Sequence, residues 1–122
     1  MKEMKRRKSG TIDFVEFPAK DVSAVASIKQ FYSGVFGWDF KDWGADYIDT
    51  VDSGLPCGFN ADPTHRPRMP LAVIYTKNIS SSRDQIAKAG GKITRDIFCF
   101  PGGRRFHFTD PCGNELAVWS DI

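Results

Sequence analysis

Four ionisable side chains stand in strand-like runs among apolar neighbours: Glu16 in TIDFVEFP, and Arg105, His107 and Glu115 in GGRRFHFTDPCGNELAVW. Two carboxylates and an imidazole form a legitimate ligand set for a divalent metal. Without a metal the same groups can work as acid and base, a carboxylate orienting His107. Plainer roles stand beside these. Glu16 or Glu115 can pair with Arg104 or Arg105 as a structural ion pair of modest value, and His107, between Phe106 and Phe108, reads equally as a hydrogen-bonded structural imidazole. Spacing alone does not bring Glu16, His107 and Glu115 within coordination distance. Cys57, Cys99 and Cys112 are odd in number and lack a CxxC pair, which points to neither a disulfide framework nor a zinc knuckle. Each is expected as a small packed residue in a reducing cytoplasm. His65 lies in a proline-rich stretch and is expected to be exposed and idle.

The elements that must position these residues follow from periodicity. Thr11 to Pro18 alternates as a strand. Asp21 or Ser23 can cap the helix that follows, which carries Val25, Ile28, Phe31, Tyr32 and Val35 at helical spacing and stops at Gly37. From Trp38 to Phe59, aromatic and β-branched runs alternate with Gly44, Gly54, Pro56 and Gly58, a pattern of strands joined by turns. Ala61 to Pro70 contains three prolines and reads as a linker. The plan then restarts: Leu71 to Thr76 as a strand, Ser80 to Ala89 as a helix ended by Gly90-Gly91, and strands over Lys92 to Phe98, Arg104 to Thr109 and Glu115 to Trp119. Strand, helix and three strands thus occur twice, which argues for two βαβββ units.

FYSGVFGWDF at Phe31 to Phe40 and GGRRFHFTDPCGNELAVW at Gly102 to Trp119 resemble the vicinal-oxygen-chelate superfamily of glyoxalase, bleomycin-resistance and extradiol dioxygenase proteins. In that superfamily a helix ends in a similar FY-containing motif, and a DP-x-GN turn leads into the last strand. The resemblance spans Thr11 to Ser120. It implies an α+β fold in which two βαβββ units, about 11–60 and 70–120, form an open, cup-like mixed sheet within a single domain over 11–122. It further implies a divalent metal on four side chains inside the cup, whose positions fall on Phe14, Leu71, Ala117 and the Gly58-Phe59 pair. Phe, Leu, Ala and Gly side chains offer no lone pair to a metal. No metal and no other cofactor is therefore expected.

Alternation assigns the lining of the implied cup. Leu116, Val118, Phe106, Phe108, Val15 and Phe17 face the helix-packed core. Phe14, Glu16, Leu71, Val73, Tyr75, Arg105, His107, Glu115 and Trp119, together with Phe59 from the position the resemblance implies, are expected to bind a ligand, an apolar and aromatic surface with a few polar groups. His107, Glu115 and Glu16 are the candidate catalytic groups.

Met1 to Gly10 holds five basic residues against Glu3, a balance of +4 that leaves the rest of the chain near −2 of the +2 total. The basic charge thus sits in a leader expected to be disordered, not along a groove for nucleic acid, and no nucleic-acid partner is expected. No apolar run reaches the length of a membrane span. These readings converge on a cytoplasmic protein of the glyoxalase/bleomycin-resistance type that binds a small organic molecule without the usual metal. A different class is a glyoxalase-like lyase or isomerase using relocated metal ligands or His107 as acid/base. A third is a structural or partner-binding domain, since the resemblance also implies pairing as a homodimer.

Overall fold

The computed structural model describes residues 7–122. The elements run β1 (Thr11–Pro18), α1 (Val22–Phe36), β2 (Phe40–Asp42), β3 (Tyr47–Thr50), β4 (Cys57–Asn60), β5 (Leu71–Tyr75), α2 (Ile79–Lys88), β6 (Lys92–Phe100), β7 (Gly103–Thr109) and β8 (Glu115–Ser120). This is the α+β order read from the sequence, twice βαβββ. The compact units divide differently from the sequence boundaries. Phe14–Leu71 forms one unit, here the N-terminal unit, while residues 7–13 join Ala72–Ile122 in the other, the C-terminal unit.

The two units share one strand plan. In the N-terminal unit the order is β2-β3-β4-β1, with β1 parallel to β4 and the other neighbours antiparallel. In the C-terminal unit it is β6-β7-β8-β5, with β5 parallel to β8 and the other neighbours antiparallel. The registers coincide as well: Glu16 lies beside Gly58 in one unit, and Val73 beside Ala117 in the other.

Helix α1 begins where the Asp21 carboxylate accepts from the Ala24 N–H at 2.9 Å, satisfying one of the helix's free donors. It ends at Gly37, whose φ of 73° needs a residue without a Cβ. Val25, Ile28 and Tyr32 turn toward a core of Ala19, Ile48, Cys57, Phe59 and Ala61, joined by Val15, Phe17 and Phe40. Trp38 lies flat on Tyr32, ring centroids 4.8 Å apart. Phe31 and Val35 were expected on this buried stripe and are instead 57% and 58% exposed. The buried arc is narrow, and both residues fall to one side of it.

Helix α2 is capped by Asn78, whose side-chain oxygen accepts from Ser81 N–H at 3.0 Å. Its Ile79 and Ile86 pack on Phe106, Phe108, Val118, Ile74, Ile93, Ile97 and Leu116. Burying side chains of this size contributes roughly 1.5–3 kcal/mol each, enough to fix which face of β7 and β8 turns inward.

The leader expected over Met1 to Gly10 falls partly outside the described residues. Where it is described, it is not a free tail. Ser9 Oγ accepts from Lys77 N–H at 3.1 Å, Gly10 N–H donates to Tyr75 O at 2.8 Å, and the Arg7 guanidinium lies 5.0 Å from the centre of the Trp119 ring. Charge composition pointed to disorder, but Arg7 finds both an aromatic face and the Asp121 carboxylate at 3.3 Å. Among the described residues no helix is long and apolar enough to cross a membrane. Cys57 is buried as expected, whereas Cys99 and Cys112 are exposed rather than packed.

Candidate functional site

Two cross-strand rows on the face of the C-terminal unit away from α2 gather the polar candidates. Arg95, His107, Ala117 and Val73 form one row across β6, β7, β8 and β5. Phe98, Arg105, Trp119 and Tyr75 form the next. Opposed residues of neighbouring strands lie close enough for their side chains to interact, and here they do. Tyr75 and Trp119 meet edge to face at 5.3 Å, and Phe98 stacks on the His107 ring at 6.0 Å. Glu115, opposite Thr109, brings its Oε2 to 3.6 Å from His107 Nδ1.

Arg95 and Phe98 were not singled out from the sequence, and β-bulges explain why. Between Ile93 and Phe98 the register with β7 slips twice, each time adding one residue to β6. Strict alternation from the core residue Ile93 would turn Arg95 inward. The extra residues reset the pleat, so that Ile93 and Ile97 reach the core while Arg95 and Phe98 share the opposite face. The Arg95 guanidinium sits 4.2 Å from the centre of the Phe98 ring, and that of Arg105 sits 5.8 Å from it.

His107 is 7% exposed. Burial first, then the charges of Arg105 and Arg95, lower its pKa from 6.5 to about 4, so the ring is neutral at pH 7. Its Nε2 accepts from Arg105 Nε at 3.2 Å, which assigns the ring proton to Nδ1 on the Glu115 side. The imidazole lone pair is thus already used. A base needs that lone pair free and a pKa nearer the working pH.

Trp119 is anchored from a direction alternation did not reveal. Its Nε1 donates to Asp13 Oδ1 at 3.0 Å, and burial raises the Asp13 pKa above the ordinary carboxylate value. Beside it the Tyr75 hydroxyl donates to Asp121 Oδ1 at 2.6 Å, which holds that carboxylate below its usual range. The strongest sequence sign of this pair was the carboxylate of Asp13 at a position that alternation groups with Val15 and Phe17.

The remaining candidates belong to the N-terminal unit. Glu16 is 2% exposed and accepts from the Tyr47 hydroxyl at 3.3 Å and from Asn60 Nδ2 at 3.5 Å, an internal polar network. Phe59, expected among the ligand contacts, is a core residue: it stacks on Phe17 at 5.2 Å and packs against Tyr32. Register places Gly58, not Phe59, on the face of Glu16. Leu71 of this unit, like Val73 and Tyr75 of the C-terminal unit, is buried to 3% exposure or less.

The metal of the resembled superfamily does not fit these residues. At the expected positions stand Phe14, Leu71, Ala117 and Gly58, none with a donor atom. At Gly58 the space a ligating side chain would need is filled, because a Cβ there would overlap the Tyr47 hydroxyl and lie 2.7 Å from Phe14 Cζ. Nor is the relocated set of Glu16, His107 and Glu115 supported. Among the described residues, no three or more His, Cys, Asp or Glu side chains gather as a metal site needs. A cavity of about 250 Å³ does occur in the N-terminal unit, between Val22, Val25, Ala26 and Ile48. It contains none of the candidates, and its charged rim is already paired, Lys29 to Asp42 at 3.1 Å.

This chain belongs to the Glyoxalase/Bleomycin resistance protein/Dioxygenase superfamily, whose sequence profile matches residues 11–118. A curated relative from Mycobacterium bovis, "Putative glyoxylase CFP32", is 25% identical over 92% of this chain and 46% of its own length. The chain therefore spans about half the length of the curated relatives it matches. Two solved structures share the fold. The Mn(II)-bound glyoxalase from Novosphingobium aromaticivorans superposes with TM-score 0.63 at 21% identity, over 91% of this chain and 38% of that one. A glyoxalase/bleomycin resistance protein/dioxygenase superfamily member from Vibrio splendidus does so with TM-score 0.65 at 14% identity, over 88% and 96%. At such identities the likeness carries the fold alone.

Proposed function

We propose that this domain binds a small organic molecule on the β6-β7-β8 face of its C-terminal unit, and does so without a divalent metal. The observation that carries the reading is the pairing of half-buried rings, Phe98, Phe100 and Trp119, with polar groups already fixed in place, Arg95, Arg105, His107 and Glu115. Rings supply contact area and the fixed groups supply orientation, which is how small-molecule sites are generally built. The donor-free side chains at the superfamily's metal positions support metal independence. Sequestration is favoured over proton transfer by His107, because its lone pair is engaged by Arg105 and its pKa lies well below neutrality.

A thermal-shift screen against aromatic metabolites and drugs, run with and without EDTA, tests this reading. A stabilising compound should shift the melting point equally in both buffers. Trp119→Ala should weaken its binding tenfold or more, about 1.4 kcal/mol. A compound whose binding needs added divalent ions, or survives Trp119→Ala unchanged, would overturn the assignment.

A further inference from the structure

Trp119 and Asp121 are each fixed by a group other than the one they share. The Trp119 indole donates to Asp13 Oδ1 at 3.0 Å, and Asp121 Oδ1 accepts from the Tyr75 hydroxyl at 2.6 Å. Tyr75 is itself buried, its ring edge to face with Trp119 at 5.3 Å. The second oxygen of Asp121 and the face of the indole meet one common partner, the Arg7 guanidinium. Its Nη1 donates to Asp121 Oδ2 at 3.3 Å, and its central carbon lies 5.0 Å from the ring centre. The chain beside Arg7 is tied separately, Ser9 Oγ accepting from Lys77 N–H and Gly10 N–H donating to Tyr75 O. The guanidinium can therefore leave without undoing the seat or the segment that carries it. The Arg7 and Asp121 side chains are 47% and 37% exposed, so water reaches the pair and exchanging it costs little. Arg105, opposite Trp119 on β7, turns its Nε to His107 and does not keep a guanidinium from this ring.

We propose that Trp119 and Asp121 form a guanidinium subsite of the binding face, with Arg7 as its built-in occupant: a small molecule carrying a guanidinium or amidinium group takes the subsite by displacing Arg7. The inference rests on the small-molecule role argued above and adds the class of one ligand group and its internal competitor. A planar cation suits the seat on two counts. An indole face attracts a cation more strongly than the other aromatic side chains do, and N–H groups set in a fork match a carboxylate, which an ammonium meets only as a point charge. The Arg7 charge also acts on both carboxylates. It opposes the rise that burial imposes on the Asp13 pKa and adds to the lowering that the Tyr75 hydroxyl imposes on that of Asp121, so a cation at this position is felt by the whole cluster.

The test compares the parent chain with Arg7→Ala, titrated with methylguanidinium, methylammonium and acetamide and followed by NMR at the Trp119 indole N–H. The indole of Trp43, exposed and with its ring centre 4.2 Å from Lys41 Nζ, is the reference for non-specific stacking. Methylguanidinium should shift the Trp119 signal of Arg7→Ala at millimolar concentration and bind it roughly fivefold or more tightly than the parent, where Arg7 competes. Methylammonium should bind more weakly, and acetamide should leave the signal in place. Asp121→Asn in the Arg7→Ala background keeps an acceptor for Tyr75 while removing the charge, and should abolish the methylguanidinium response. Circular dichroism of both variants separates loss of binding from loss of fold. An unmoved Trp119 signal, equal responses of parent and Arg7→Ala, equal binding of the three probes, or a Trp43 shift as large as that of Trp119 would each overturn the subsite. The broader binding reading does not turn on these outcomes, because it is decided by the Trp119→Ala comparison with the screened compound.

Discussion

The two units follow one plan, yet they treat the sheet face away from their helix in opposite ways. In the N-terminal unit that face is closed by its own side chains: Phe14 and Tyr47 occupy the space above Gly58, and Glu16 is absorbed into bonds with Tyr47 and Asn60. In the C-terminal unit the equivalent pair is Val73 and Ala117, and the rows beside it carry Arg95, Arg105, His107, Trp119 and Glu115 at partial exposure or at the edge of burial. A duplicated frame fixes where side chains point, not whether the space in front of them is filled. Glycine at position 58 admits a tyrosine ring, and that ring takes the room a metal ligand would have used.

The largest test of this contrast is Gly58→Ala. The added Cβ would overlap the Tyr47 hydroxyl and press on Phe14 Cζ, so the N-terminal unit should lose about 3 kcal/mol in urea unfolding, at the upper end of overpacking effects. Gly58→Ala combined with Tyr47→Phe should recover part of that loss, because the overlapping oxygen is gone. Equal stability of Gly58→Ala and the parent would mean that the face is not filled as described.

His107 tests the other unit through pH. Its pKa in the folded chain, about 4, lies below the ordinary value of 6.5, so the unfolded chain binds the extra proton first on acidification. Its contribution is fully present above pH 6.5, declines as pH falls from there toward 4, and changes no further below that. Partial hydration of the ring limits the effect to the order of 2 kcal/mol. His107→Gln should flatten the stability profile across this window, measured by denaturant unfolding at several pH values. An unchanged slope would place the titration elsewhere.

The smallest effect sharpens the comparison most directly, because it pits the two glutamates against each other. Glu16→Gln disturbs a carboxylate that is 2% exposed and bonded to Tyr47 and Asn60, and should lower stability by about 1–2 kcal/mol. Glu115→Gln alters a side chain that is 43% exposed, and should change stability by less than about 0.5 kcal/mol while weakening ligand binding. Reversed magnitudes would mean that the N-terminal face is the functional one.

Much of this molecule was legible before its coordinates. Period-two runs, the Asp21 cap, the Gly37 stop and the repeated element order depend on local chemistry, and the β1-α1 and β5-α2 repeats appeared where those signals placed them. Alternation also put Phe106, Phe108, Leu116 and Val118 on the core side and His107 and Trp119 on the other, since regular pairing preserves the pleat. The absence of donor atoms at Phe14, Leu71, Ala117 and Gly58 needed only residue types.

What the sequence could not decide depended on contacts distant along the chain. The bulges in β6 arise from its pairing with β7, and only they bring Arg95 and Phe98 to the face away from α2. Phe59 was separable from Gly58 only once the β1-β4 register was known, because a shift of one residue exchanges the two faces of a strand. The Asp13 carboxylate meets Trp119 across 106 positions, and Arg7 meets Asp121 across 114, separations at which local periodicity carries no information. Sequence determined the elements and their inward sides, because those follow from neighbours along the chain. Tertiary structure decided which polar groups meet and which space is filled, because those depend on strand register and on the volume of side chains brought together from distant segments.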